Sequence, residues 1–306
     1  KEFNNVIRKA VDLLKVYPNE NDLYNIQGAS NAALGKFDKA IRCFENILKI
    51  DPDSEKAYFN IAVMYDKLAS PKNALKNYQN AIKIKPDYAD AQNNMGSTYK
   101  ELGDLDRALS AYQKAAKIQP NHSFAYNNMG NIYMTRKSFE KALKAFKMAI
   151  FINPNYADAY NSIGEIYLNK KNITKSHKAF EKVLQINPNH VKGLLNMGNL
   201  YDSTAEYEKS IQLYSKASMK DPENNELLAL KTTQQAYICD IDEIKNHNSK
   251  IKYAYTNKYH VRPLDSFAHD DEPKRHQLRA ISYTNKYYRE NRYLKLSNSE
   301  NKSKRI

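Results

Sequence analysis

The sequence predicts an all-α chain, a solenoid of paired helices closed by a helical cap at its C-terminal end. Two observations carry that reading. Pro18, Pro52, Pro86, Pro120, Pro154, Pro188 and Pro222, seven of the ten prolines, are spaced 34 residues apart without exception. A period of this length belongs to a helix–turn–helix unit, which buries its apolar face only by stacking on its neighbours. Small and large residues also recur at fixed addresses inside the unit, as packed helix pairs require if they are to interdigitate.

Taken in chain order, residues 1–20 read as the second helix of a truncated unit. Six whole units follow, at 21–54, 55–88, 89–122, 123–156, 157–190 and 191–224. Position 8 of the unit reads Gly28, Ala62, Gly96, Gly130, Gly164 and Gly198. Position 11 reads Asn31, Tyr65, Tyr99, Tyr133, Tyr167 and Tyr201. Position 20 is small throughout, at Ala40, Ala74, Ala108, Ala142, Ser176 and Ser210. Position 24 is aromatic throughout, at Phe44, Tyr78, Tyr112, Phe146, Phe180 and Tyr214. The proline at position 32 ends the second helix, because the residue before a proline avoids the α region. Between the two helices stand Gly35 and Gly103 in two units but Lys137 and Lys171 in later ones. A left-handed backbone there would cost each lysine about 1 kcal/mol, so the later units are expected to turn slightly differently.

Small at 8, aromatic at 11, Ala at 20, aromatic at 24 and Pro at 32 resemble the tetratricopeptide repeat over 204 of the 306 residues. Tyr58, Tyr126 and Tyr160 stand at position 4, where that family often has Trp. The resemblance implies a right-handed superhelix whose concave groove is lined by the first helix of each unit. On that helix, position 6 carries Asn60, Asn94, Asn128 and Asn196, with Ile26 and Ser162 as exceptions. Position 5 adds Asn93, Asn127 and Asn161, and position 9 adds Asn131 and Asn199. Asparagines repeating at one address predict a ladder along the groove. A side-chain amide offers one acceptor and two donors, which suits the backbone of an extended peptide. At about 1 kcal/mol net per hydrogen bond, such a ladder binds weakly per rung and tolerates many sequences. Some tetratricopeptide domains clamp a C-terminal carboxylate with Lys at position 5. No Lys or Arg occupies that position here, which argues against a clamp.

Beyond Pro222 the period fades. Asn225–Ile238 reads as a capping helix and Lys274–Tyr288 as a further helix, begun by Asp270–Glu272 and Pro273. Residues 225–306 thus read as a cap and linker. Cys239-Asp240, Val261-Arg262-Pro263 and Pro273 followed by Gln277-Leu278 resemble the junction of the O-linked N-acetylglucosamine transferase and SPINDLY family, the latter a protein O-fucosyltransferase. The match spans about 70 residues. Leu264-Asp265 replaces the histidine-rich stretch of the animal enzymes, and Ile241 stands where the family has an aromatic. The resemblance implies a substrate-recognition arm of an intracellular protein O-glycosyltransferase, cytoplasmic or nuclear. It implies UDP-N-acetylglucosamine or GDP-fucose as donor, and partners presenting extended Ser/Thr-containing segments. The catalytic lobes are expected after Ile306, so these residues would hold no cofactor and turn over nothing alone. The alternative is a non-enzymatic tetratricopeptide scaffold.

Composition narrows the remaining classes. Two cysteines make no disulfide framework. No apolar stretch approaches the ~18–20 residues of a membrane span. Lys1 opens the chain without a signal-like apolar core, so an excerpt or a processed chain is expected. No Gly-rich phosphate loop, HExxH or CxxC is present, and the seven histidines lack metal-ligand spacing. The formal charge is +14, of which +6 falls in Leu278–Ile306 among Tyr283, Tyr287, Tyr288 and Tyr293. That run reads as a basic linker rather than a nucleic-acid site. A homodimer is left open.

Overall fold

The computed structural model describes residues 2–222 and Leu230. The predicted cap and linker at 225–306 therefore lie outside the described residues, Leu230 excepted. The described part holds thirteen α-helices and no strand. Helix α1 (Glu2–Val16) stands alone at the start. Six pairs follow: α2 (Asn21–Ala33) with α3 (Phe37–Ile50), α4 (Glu55–Lys67) with α5 (Pro71–Ile84), and α6 (Ala89–Glu101) with α7 (Leu105–Ile118). Next come α8 (Ser123–Thr135) with α9 (Phe139–Ile152), α10 (Ala157–Asn169) with α11 (Ile173–Ile186), and α12 (Val191–Ser203) with α13 (Tyr207–Ser218). Every pair falls inside one predicted unit.

Compact packing divides the chain after Ile166. In the first body each helix from α1 to α8 packs on the next, and α6 also touches α4 and α8. First helices are thus neighbours and share one face. In the second body, beginning at Tyr167, α12 packs between α11 and α13.

The pairing rests on the small–aromatic contact. Phe44, Tyr78, Tyr112 and Phe146 are all buried, as are Ala40, Ala74, Ala108 and Ala142 at position 20. A Cβ built on Gly28 would lie 2.6 Å from Phe44, and one on Gly96 would lie 2.7 Å from Tyr112. The figures are 2.6 Å for Gly130 against Phe146 and, in the second body, 2.5 Å for Gly198 against Tyr214. No side chain fits in such a gap without displacing the ring.

Helix ends follow local chemistry. Ser54 and Asp104 accept the backbone N–H of Ala57 and Arg107, capping α4 and α7. Asn172 does the same for α11. The second helices stop where predicted: Asp51, Lys85, Gln119, Asn153 and Asn187, each preceding a proline, are extended, with ψ of 90–96°.

The turn between helices corrects one expectation. Position 15 has positive φ in all six units: Gly35 at 70°, Ala69 at 51°, Gly103 at 78°, Lys137 at 54°, Lys171 at 56° and Ala205 at 61°. The later units make the same turn as the glycine-bearing ones. Its geometry is over-determined by hydrogen bonds. The N–H of position 16 bonds the carbonyl of position 11 in every unit, from Lys36 to Asn31 (2.9 Å) through Glu206 to Tyr201 (2.9 Å). This is the six-to-one bond that closes a Schellman end, and it holds lysine or alanine in the left-handed region. Replacing Lys137 or Lys171 with Gly should therefore raise stability by about 1 kcal/mol each in urea denaturation, with helix content unchanged. A loss of stability would show that lysine adopts this turn without strain.

Candidate peptide-binding face

Asparagines at positions 5 and 6 meet across the boundary between units rather than along a single row. Asn60 Nδ2 donates to Asn25 Oδ1 at 3.4 Å, and Asn128 Nδ2 donates to Asn93 Oδ1 at 3.1 Å. Each rung joins residues 35 apart, position 5 of one unit to position 6 of the next. Where position 5 is Phe59, no amide is present for Asn94. Asn94 Oδ1 instead accepts from Asn93 Nδ2 at 3.2 Å.

The predicted site residues thus separate by depth. Asn60, Asn94 and Asn128 are half-buried in the first body, as is Asn131. Asn93, Asn127 and Asn161 are buried, at 8, 7 and 4% exposure. Asn161 Nδ2 donates to Glu165 Oε1 at 2.7 Å, one turn along its own helix. In the second body Asn196 is half-buried, and exposed Asn199 accepts the Tyr214 hydroxyl at 2.7 Å. The structure brings Asn128, Asn93 and Asn94 into one connected chain and Asn60 into another with Asn25.

Tyrosine at position 24 extends these polar contacts from beneath. Its ring fills the core of the pair while its hydroxyl reaches the first helix. Tyr112 shares a hydrogen bond with Ser97 at 3.2 Å, as Tyr214 does with Asn199. In the second unit the residue at that address is Val63, and the Tyr78 hydroxyl donates to Asp66 Oδ2 at 2.6 Å. Thr98 of the next unit donates to the other oxygen, Oδ1, at 2.9 Å. Two hydroxyls from two units therefore converge on one half-buried carboxylate. Burial pushes the Asp66 carboxyl above its ordinary value, and the nearby Glu101 charge adds to the effect, although both hydroxyl donors oppose it. The same burial, with Asp66 alongside, pushes the Tyr78 phenol far up. Tyr88 is raised to about 12, by burial first and by the Asp90 charge second.

Reading the sequence by type missed two things. One is Asp66, whose role follows from Val63 breaking the fifteen-residue spacing of Ser97–Tyr112 and Asn199–Tyr214. The other is a row of cations over the position-11 tyrosines. Arg107 lies 4.7 Å from the Tyr99 ring centre, Lys141 6.0 Å from Tyr133, Lys175 5.5 Å from Tyr167 and Lys209 5.1 Å from Tyr201. A basic residue stands eight after four of the five position-11 tyrosines, Asn73 following Tyr65, and this spacing is visible in the sequence. Such contacts give about 0.5–1 kcal/mol each at exposed sites, and they place four of the cations of this basic chain in structural roles.

Models of the tetratricopeptide repeat match residues 22–54, 89–122, 123–156, 157–190 and 194–226, and a TPR repeat model matches 72–103. Three of these matched spans coincide residue for residue with the units set by the prolines. The chain belongs to the tetratricopeptide-repeat family. None of the curated proteins matches this repeat array in sequence. Among solved structures it is similar to PilF of Pseudomonas aeruginosa, with 19% identity and a TM-score of 0.60 over 66% of this chain and 92% of the other. It is also similar to PilW, a type IV pilus biogenesis factor, with 19% identity and a TM-score of 0.60 over 68% and 96%. The APC/C hetero-tetramer Cut9–Hcn1 gives 16% identity and a TM-score of 0.64 over 76% and 46%. At these identities the likeness is one of fold. Among the described residues of the array, no helix is long and apolar enough to cross a membrane.

The raised carboxyl of Asp66 fixes the sign of a pH effect. A group that binds its proton more tightly folded than unfolded contributes stability below the ordinary value, about 3.9, and loses it as pH rises through the raised value. Asp66→Asn keeps an acceptor for one hydroxyl and removes the charge. The variant should melt higher than the parent at neutral pH, and the gap should close on acidification below pH ~4. A gap independent of pH would remove the buried charge as its cause.

Proposed function

We propose that the array is a binding module that holds an extended peptide segment along the face made by its first helices. The carrying observation is the recurrence of half-buried amides at one address: Asn60 and Asn128, each hydrogen-bonded to the preceding unit, and Asn94, bonded to Asn93 beside it, all still open to solvent. An amide has more hydrogen-bonding capacity than one rung consumes. The remaining donors and acceptors recur with the repeat and match a peptide backbone, whose own groups also recur. Asn196 and Asn199 would serve the second body in the same way. Recognition of this kind depends on the ligand's main chain more than on its side chains, so broad sequence tolerance follows. The test uses the whole chain and a displayed library of random peptides. Replacing Asn60, Asn94, Asn128 and Asn196 with Ala should weaken retained peptides by up to about fivefold per residue while leaving the array folded. Unchanged affinity in a folded variant would remove the amides from the site.

A finer reading makes this module the substrate arm of a protein O-glycosyltransferase. Its support is the run from Cys239-Asp240 through Val261-Arg262-Pro263 to Gln277-Leu278, which resembles the junction in that family. On this reading the array delivers Ser/Thr-containing segments to catalytic lobes, and holding the acceptor near the donor is itself a catalytic contribution. UDP-N-acetylglucosamine or GDP-fucose would be the donor. The gene product bearing these 306 residues should then add one of those sugars to Ser or Thr of a partner protein, seen as a mass shift on the modified peptide. Transfer of neither sugar would leave a non-enzymatic scaffold.

A further inference from the structure

Besides the gap that Phe59 leaves at Asn94, the rungs of the first body fail at one other place, and that failure is chemically specific. Rungs join position 5 to position 6 of the next unit, 35 residues on, as Asn25–Asn60 and Asn93–Asn128 do. The next residue pair in that series with an amide at position 5 is Asn127 with Ser162. Serine lacks the carboxamide that would donate. The consequence is visible at Asn127, which is 7% exposed and whose Oδ1 is a buried oxygen with no hydrogen-bond partner. A buried, unsatisfied acceptor costs free energy and is rare in a folded chain. Ser162 itself is half-buried, so the address from which the donor should come stays open to solvent.

We propose that this gap is a ligand subsite, in which an amide N–H of the bound peptide takes the place of the missing carboxamide at 162 and donates to Asn127 Oδ1. The proposal rests on the peptide-binding reading and sharpens it, because it gives the ligand a register: one amide N–H is anchored in the fourth unit and the rest of the peptide is placed from there. A rung that is already closed, such as Asn93–Asn128, offers no such acceptor. Two sources share this chemistry, a backbone N–H of the peptide and the side-chain carboxamide of an Asn or Gln within it.

Ser162→Asn tests the idea by closing the rung from within. Made in the full chain, it should raise the melting temperature, since Asn127 gains its partner. It should also weaken a library-selected peptide by about fivefold. Ser162→Ala, which adds no donor, should leave affinity as it was. Within the peptide, N-methylation of successive backbone amides and replacement of Asn or Gln by Ala separate the two sources. Whichever modification weakens binding to the parent should have little effect on the Ser162→Asn variant. A higher melting temperature with undiminished affinity would overturn the subsite and leave the peptide-binding reading standing. An unchanged melting temperature would show that position 162 does not address Asn127. Failure of the parent chain to retain any peptide would overturn both readings.

Discussion

Everything in this array depends on how closely the two helices of a unit approach. That distance is set where an aromatic ring at position 24 packs against a first-helix residue that, in most units, carries no Cβ. Gly28, Gly96, Gly130 and Gly198 leave 2.5–2.7 Å between a hypothetical Cβ and the facing ring, less than any real side chain tolerates. The second unit manages the contact with Ala62 and Tyr78, both fully buried. Because each helix touches mainly its neighbours in sequence, an error in this spacing would propagate to the next unit. The fixed spacing also makes the face of first helices regular enough for side chains to meet at a constant offset of 35 residues.

Polar contacts exploit that regularity. The ring at position 24 is interchangeable as packing, Phe or Tyr, but its hydroxyl is not. Tyr112 and Tyr214 have Ser97 and Asn199 to meet, whereas Phe146 needs no partner. Tyr78 has Val63 at that address and turns to Asp66, which Thr98 also reaches. From Asn128 through Asn93 to Asn94, and separately from Tyr78 through Asp66 to Thr98, side chains of adjacent units hydrogen-bond to one another. These bonds are few and each gives only about 1 kcal/mol net. Their value lies in register, because an amide left without its rung is costly when buried.

The helices and their pairing were legible because they depend on period, and proline and glycine announce a period directly. The turns were misjudged at Lys137 and Lys171 because residue type suggests a backbone angle only weakly. Six hydrogen bonds of one kind impose the left-handed turn on whatever residue stands there. The candidate face was half legible. That Asn60, Asn94 and Asn128 belong together could be seen from their shared address. That Asn60 and Asn128 bond backward to position 5 while Asn94 does not, and that Asn93 and Asn127 are buried, could not, because exposure depends on the neighbouring unit. Asp66 was invisible for the same reason: its partners sit 12 and 32 residues away on two different helices.

In a repeat array the consensus builds the frame, and departures from it are where a particular ligand can be recognised. A peptide backbone contacting only perfect rungs would find the same chemistry every 34 residues and no reason to settle in one register. Phe59 interrupts the amides with an aromatic that packs 5.1 Å from the Tyr88 ring and 5.9 Å from the Tyr78 ring. Asp66 places a half-buried carboxylate one unit before the Ser97–Tyr112 pair. Ser162 leaves the Asn127 oxygen without its donor. Each is a local exception on a first helix of the first body. Together they turn a uniform ladder into one with distinguishable steps, which a bound segment needs if it is to be held in a single position.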